Sequence, residues 1–254
     1  MRVDLHCHLL PGVDDGPGSL EEALDLARAL AGQGFNQAVA TPHYIEDYSR
    51  DYREQVKDSF SRLKKALEEE GIPLALHLGG ELMVLPALMG LARAGELPTL
   101  GGTRYVLLEL PLHQPPPLYT EEVFFTLRAL NYHPILAHPE RVEAYRQDMG
   151  KLFDLVESGV LLQVNLGSLA GLYGTSVKKL ARGIVRKGLA SFLATDCHDA
   201  SLMTLISGEL KKPSLPEMLL GENPRRVLKD EGIEESSQSP PRSFMEKARG
   251  ILRF

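Results

Sequence analysis

Asp4-Leu5-His6-Cys7-His8-Leu9-Leu10-Pro11-Gly12-Val13-Asp14-Asp15-Gly16 is the stretch on which the reading of the chain turns. Val3 and Leu5 alternate with polar positions and the run breaks at Pro11-Gly12, which predicts a short buried strand leading into a loop. Residues two apart on a strand share a face, so His6 and His8 are expected to point the same way. Two imidazoles converging at a strand end can hold a divalent metal, and Asp15 follows within reach. A lone histidine there is most simply a packed core or loop residue. H-x-H followed by D-D-G shifts the reading toward ligation, provided later segments supply further ligands.

They do. Ser19-Leu20-Glu21-Glu22 has the form of a capping box, and the apolar spacing after it predicts a helix over 19–33 that stops at Gly34. Residues 37–41 are short, apolar and bounded by Pro42, a second buried strand with His43 just past its end. The pattern then repeats. A helix over 51–70 precedes a strand over 74–78 that leads through Gly79-Gly80 to Glu81. A helix over 85–94 precedes a strand over 105–108 that delivers Glu109, and a helix over 120–130 precedes a strand over 134–137 that ends on His138. Residues 160–164 form a strand ending at Asn165. A helix over 176–187 precedes the last strand, 191–195, which ends on Asp196 and His198.

Strands alternating with helices imply parallel pairing through right-handed crossovers. Seven such units predict an α/β fold, a closed or nearly closed (β/α)7 barrel whose site is built at the carboxyl ends of the strands. An open doubly wound sheet is the alternative, but it brings only one or two loops to its crevice. His77, His113 and His133 fall outside the pattern and are expected to be structural. Cys7 and Cys197 each sit beside a proposed ligand and read best as small buried side chains.

The candidate metal ligands are His6, His8, Asp15, His43, Glu81, Glu109, His138, Asp196 and His198. One ion takes about four to six donors, so the set implies two or three ions. Imidazole and carboxylate donors without thiolate suit Mn²⁺ first, then Fe²⁺ or Zn²⁺. The four carboxylates contribute −4 against +4 from two ions or +6 from three, so only three ions keep a net pull on a phosphate dianion. This predicts a phosphoester hydrolase in which a hydroxide bridging two ions attacks phosphorus. Arg141, in the A-H-P-E-R run, can supply a planar fork to the phosphoryl group.

Composition is consistent with this. A chain of 254 residues suits one large domain, and 43% hydrophobic with 24% charged residues is ordinary for a soluble protein. No run approaches the roughly 18 apolar residues of a membrane span and no signal region is visible, so a cytoplasmic protein is expected. The net charge of −6 argues against a nucleic-acid groove, and two cysteines do not make a disulfide scaffold. There is no phosphate-binding glycine loop, nucleophile elbow or H-E-x-x-H helix. Neither cysteine is followed by the arginine a thiol-based phosphatase needs.

D-L-H-C-H-L-L-P-G-V-D-D-G-P, A-T-P-H, G-G-E-L, L-E-L-P, A-H-P-E-R and T-D-C-H together resemble the polymerase and histidinol phosphatase (PHP) family of metal phosphoesterases. Within it they resemble the bacterial tyrosine-protein phosphatases of capsular and exopolysaccharide operons, in matching order from Met1 to about Val227. The resemblance implies a distorted barrel of seven β/α units, a trinuclear and usually Mn²⁺-dependent centre, and dephosphorylation of a partner tyrosine kinase. It also implies that the nine ligands and the phosphate-binding Arg141 keep those roles here, and Arg141, His43 and His198 are the candidate catalytic residues. Relatives carry a second arginine after the D-x-H motif, where this chain has Leu202-Met203-Thr204. A small-molecule phosphatase of the histidinol-phosphate kind is the alternative, and a non-catalytic metal-binding accessory module is a third reading. Tyr44, Tyr48, Arg50, Tyr52 and Arg53 could rim a cleft open to peptide. The phosphatase domain is expected over 1–232. A polar linker and a short basic amphipathic segment, with Phe244, Ala248, Ile251 and Leu252 on one face, follow over 233–254. Membrane contact is expected only peripherally, through the kinase.

Overall fold

The computed structural model describes residues 1–44 and 48–233. From residue 234 on, the expected linker and basic segment lie outside the described residues. In order the elements are β1 (Arg2–Cys7), α1 (Leu20–Gly32), β2 (Phe35–Ala40), β3 (His43–Tyr44), α2 (Arg50–Glu69), β4 (Ala75–Leu78), β5 (Glu81–Met83), α3 (Ala87–Ala94), β6 (Tyr105–Glu109) and α4 (Thr120–Ala129). There follow β7 (His133–Ala137), α5 (Glu143–Gln147), α6 (Gly150–Glu157), β8 (Leu161–Asn165), α7 (Leu166–Ala170), α8 (Thr175–Arg186), β9 (Phe192–Ala194), α9 (Ala200–Leu210) and α10 (Glu222–Leu228).

All strand pairs are parallel, in the orders β1-β2-β4 and β3-β5-β6-β7-β8-β9. The two groups are one run of strands interrupted twice. Thr41-Pro42 separates β2 from β3 because proline has no N–H for the ladder. Gly79-Gly80 separates β4 from β5, and Cβ atoms there would meet Leu100 and the Tyr44 ring at 2.8 Å. Gly79 N to Ala40 O, 2.8 Å, and Glu81 N to Pro42 O, 3.0 Å, carry the pairing across both breaks. The second strand therefore ends at Ala40, one residue earlier than expected, the third ends at Leu78 as expected, and the candidate ligands His43 and Glu81 sit on the short strands beyond.

The outer edges meet at the site end. Cys7 and Cys197 form a parallel bridge, Asp196 N donates to His6 O at 2.8 Å, and His8 N donates to Cys197 O at 3.0 Å. At the opposite end a 3₁₀ turn at Leu100–Gly102 lies against both β4 and β6, and Val3 N reaches Leu220 O. The wall is thus a distorted seven-stranded barrel.

Side chains alternate as the strand period requires. Tyr105 and Leu107 join Val3, Leu5, Val39, Ile135, Ala137 and Phe192 inside, whereas Val106, Leu108, Leu136, Leu162 and Val164 pack outward against the helices. Strict alternation would send Leu5 and His6 to opposite faces. A register irregularity between Asp4 and Cys7 lets Leu5 fill the interior while His6 and His8 still reach the site.

Ser19 caps α1 by accepting from Glu22 N at 3.2 Å, and Glu22 reaches back to Gly18 N at 2.7 Å rather than to the cap residue itself. α9, which the sequence reading did not place, is capped by Asp199. Among the described residues no helix is long and apolar enough to cross a membrane.

Candidate metal centre

Six strands deliver the nine proposed ligands to one volume. His6 and His8 project together from the end of β1, their Nε2 atoms 3.2 Å apart, both fully buried. Glu81, at the start of β5, is the hub. Its Oε2 lies 3.1 Å from His6 Nε2, 3.3 Å from His8 Nε2 and 3.2 Å from His43 Nδ1, while Oε1 lies 2.8 Å from His138 Nε2. Glu109 Oε1 approaches His43 Nδ1 at 3.3 Å. Asp196 Oδ1 faces His6 and His8 at 3.3 and 3.5 Å. At the rim Asp15 Oδ1 stands 3.5 Å from His43 Nε2 and 3.3 Å from His198 Nε2, and the His198 ring stacks on His8 with centroids 4.0 Å apart.

Backbone geometry serves this convergence. His138 and Asp196 hold φ of 32° and 52°, a region that non-glycine residues adopt only when their surroundings enforce it. Both follow a strand and turn a candidate ligand back over the barrel mouth. Gly16 closes the D-D-G turn, where a Cβ would lie 2.6 Å from His8 O.

Eight of the nine fall into three overlapping groups: His8, Asp15, His43 and His198; His6, His8, Glu81 and Asp196; His43, Glu81 and Glu109; His138 joins them through Glu81 Oε1. Glu81 Oε2, Glu109 Oε1 and His43 Nδ1 are buried without a hydrogen-bond partner, although nitrogens and oxygens crowd them. Buried polar atoms left so are costly, and cations between them would satisfy all three. The all-nitrogen-and-oxygen donor set fits divalent Mn, Fe or Zn.

The electrostatics point the same way. Burial alone would push His6 down, but Glu81 and Asp196 outweigh it and hold its pKa at about 9. His8 is likewise held well above its usual value, against burial, by Asp14 and by the Asp196 and Glu81 carboxylates. Glu81 stays well below the carboxylate range despite burial, through His6 and His138, and Asp196 is lowered against burial by His6 and His8. At the rim His43 is raised, Glu109 and Glu81 overcoming burial, whereas burial and nearby His8 lower His198. Protons and cations compete for these atoms.

Arg141 sits on the 3₁₀ turn after His138, its Nη1 donating to Asp196 Oδ2 at 2.9 Å and its guanidinium 4.5 Å from the centroid of the Tyr173 ring. Met203, in the place of a second arginine, is 2% exposed and packs into the core, so it presents nothing to a phosphate. The tyrosine cluster does not form a free rim: Tyr52 donates to His43 O at 2.6 Å, Tyr48 to Tyr44 O at 3.2 Å, and Arg53 to Tyr48 O and Glu96 O. These residues brace the strand that carries His43. Cys7 and Cys197 are fully buried, their sulfurs 3.3 Å apart.

Sequence reasoning passed over Asp14. It binds His8 Nδ1 at 2.8 Å and accepts from the backbone of His43 and Gly16, leaving His8 only Nε2 to offer a metal. The doubled acid of D-D-G was its signal. Asn165, noted only as a strand end, donates to Asp196 Oδ2 at 2.6 Å.

A family described as CpsB/CapC, capsular polysaccharide synthesis, matches residues 2–204. The chain is 33% identical to the tyrosine-protein phosphatase YwqE of Bacillus subtilis, covering 99% of both chains. It is 26% identical to the tyrosine-protein phosphatase CpsB of Streptococcus agalactiae, over 99% of this chain and 98% of the relative. It superposes with a TM-score of 0.80 and 32% identity on a chain from the crystal structures of YwqE from Bacillus subtilis and CpsB from Streptococcus pneumoniae, described as unique metal-dependent tyrosine phosphatases. That match covers 91% of this chain and 96% of the other. An amidohydrolase from Mycoplasma synoviae shares the fold at 15% identity and a TM-score of 0.59, over 99% of this chain and 94% of that one.

Proposed function

The chain belongs to the CpsB/CapC family of capsular polysaccharide synthesis, and from this we propose that it is a metal-dependent protein-tyrosine phosphatase. Its substrate in this reading is a tyrosine kinase that regulates capsular or exopolysaccharide synthesis. The observation that carries the proposal is the convergence of nine His, Asp and Glu side chains beside Arg141, in a chain 33% identical to a tyrosine-protein phosphatase.

His6, His8, Asp15, His43, Glu81, Glu109, His138, Asp196 and His198 would hold the metal, which we assign as three ions, Mn²⁺ first. Bound ions of this kind supply Lewis acidity toward phosphoryl oxygens and lower the pKa of water toward neutrality. The chain's own groups bind and orient the ester. Arg141 has five N–H donors, and the one held by Asp196 fixes the guanidinium plane while others meet the phosphoryl oxygens. Tyr173 stiffens that plane from one face. His43 and His198, whose side chains are 21% and 29% exposed, border the opening where the phenolate oxygen departs and can hold a proton near it. Burial of the inner ligands excludes bulk water and strengthens the field of Arg141 on the phosphate. We place the reaction in the cytoplasm, where a reducing environment keeps Cys7 and Cys197 as thiols.

The test is turnover of a phosphotyrosine peptide, beside histidinol phosphate, by metal-stripped protein before and after Mn²⁺ is returned, with His8→Ala as control. Metal-dependent peptide turnover that disappears in His8→Ala supports the proposal. Hydrolysis of histidinol phosphate alone overturns the substrate, and activity indifferent to metal removal overturns the mechanism.

A further inference from the structure

Gln163 and Asn165 lie two residues apart on β8 and are fully buried. Their side chains link two members of the metal cluster. His6 Nδ1 lies 3.0 Å from Gln163 Oε1, Gln163 Nε2 donates to Asn165 Oδ1 at 2.8 Å, and Asn165 Nδ2 donates to Asp196 Oδ2 at 2.6 Å.

The direction of this chain is forced from its far end. Arg141 Nη1 donates to the same Asp196 Oδ2, and a guanidinium has no acceptor, so Oδ2 accepts. Asn165 must then turn its NH₂ toward Asp196 and its carbonyl toward Gln163. Gln163 must donate to that carbonyl, which turns its own oxygen toward His6. His6 Nδ1 is thereby the donor, and the lone pair of the neutral ring lies on Nε2. That is the atom facing Glu81 Oε2 and Asp196 Oδ1, at 3.1 and 3.3 Å. Glu140 Oε1 accepts from Asn165 N at 2.9 Å, which anchors the end of the strand against the turn that bears Arg141.

We propose that Gln163 and Asn165 are positioning residues, a buried two-amide bridge that commits His6 to Nε2 and Asp196 to Oδ1 as metal-facing atoms and seats Arg141 on the remaining oxygen. A buried amide pair that only filled space would need no fixed polarity. Here each of the three contacts pairs a donor with an acceptor, and reversing either amide would set oxygen against oxygen. Arg141 is thus tied through four hydrogen bonds, two amides and one carboxylate to His6 on the first strand. The KM part of the test rests on the phosphatase reading; the metal part stands without it.

The experiment uses the full chain, stripped and titrated with Mn²⁺ by calorimetry, then assayed on a phosphotyrosine peptide. Gln163→Met keeps the side-chain length and removes both bonds, so Mn²⁺ affinity is expected to fall about 10- to 100-fold. Gln163→Glu keeps an acceptor for His6 but has no donor for Asn165. It should retain Mn²⁺ affinity within a few-fold while KM rises about 10-fold or more, the effect of loosening a hydrogen bond to a charged group. Wild-type Mn²⁺ affinity in Gln163→Met overturns the bridge, and so does equal loss in both variants, which marks packing alone. Where Gln163→Met lowers the melting temperature of the metal-free protein, Gln163→Glu decides by itself: retained affinity with raised KM supports the bridge, and wild-type KM overturns it. Should the wild type leave the peptide untouched, the substrate reading fails while the Mn²⁺ titration of the two variants still decides the bridge.

Discussion

At the carboxyl ends of the strands His6 stands within 3.3 Å of two carboxylates, Glu81 and Asp196; toward the amino ends His77 meets Gln37 at 3.0 Å and His133 stacks on Tyr105 with centroids 4.7 Å apart. The same residue type on the same wall behaves oppositely in the two places. His6 and His8 are raised because carboxylates overcome burial, whereas burial, aided by Lys64 and Arg104, lowers His77 and His133. Burial is common to both ends, so it does not mark a ligand. Convergence of acids is what sets the candidate ligands apart, and it occurs at the end where the chain leaves each strand for a helix.

The largest effect that separates the two ends is expected from Glu81→Gln. This isosteric change removes the charge that four imidazoles share, and peptide turnover with Mn²⁺ should fall about 10³-fold, on the scale of losing a preorganised electrostatic group. His133→Gln at the opposite end should leave kcat unchanged and lower stability by about 1 kcal/mol, a melting shift of roughly 2–4 °C. A loss of turnover in His133→Gln of the Glu81→Gln size would erase the distinction.

Asp14→Asn should come next. The His8 Nδ1 partner would become an amide able to present either donor or acceptor, so Mn²⁺ affinity should drop about 10- to 100-fold with the fold intact, as equilibrium dialysis would show. Unchanged affinity would reduce Asp14 to a loop brace for Gly16 and His43.

The pH dependence of the metal-free protein should carry opposite signs from the raised and the lowered histidines. A raised histidine stabilises fully below its unfolded pKa and loses that contribution as pH rises through its folded value, so the site end should weaken up to about pH 9 through His6. Lowered histidines bind fewer protons folded than unfolded, so His77 and His133 at the other end, joined by His198 at the rim, should weaken the fold as pH falls below the unfolded value of 6.5. Melting temperatures of chelated protein across this range test both limbs. Mn²⁺ should reverse the alkaline limb, because cations bind the deprotonated rings better as pH rises, and leave the acid limb in place.

Much of this was legible beforehand because it depends on local rules. Short apolar runs bounded by glycine, proline and polar residues placed all seven strand positions, and residues at or just past the ends of six of them supplied the candidate ligands. What escaped depends on tertiary approach. Gly79-Gly80 breaks a strand where the Leu100 turn and the Tyr44 ring come too close for a Cβ, and the polar Gln163 in an otherwise apolar strand had meaning only once His6 lay across from it. The tyrosines after His43 looked like a cleft rim because sequence cannot say which hydroxyls meet backbone carbonyls. α9 was not expected although Asp199, one residue past the D-x-H run, caps it.

The smallest expected effect lies at the end remote from the site. Asp230 binds Arg104 through its backbone N and its Nε, both at 2.9 Å, and Arg104 Nη1 reaches Asn131. Burial alone would raise the Asp230 pKa, but these contacts together outweigh it and lower it. A depressed carboxylate stabilises above its unfolded pKa and loses the contribution as pH falls through the folded value, so nothing should be lost between pH 6 and 9, where the histidines act. Both side chains are about 40% exposed, at 39% and 40%, so solvent and salt screen the pair. Asp230→Asn should therefore cost less than about 1 kcal/mol, shrinking further at high salt, with kcat and Mn²⁺ affinity at wild-type values. A change in metal affinity from this variant would mean that the two ends are mechanically coupled through β6 and β7, and the independence drawn from their histidines would have to be given up.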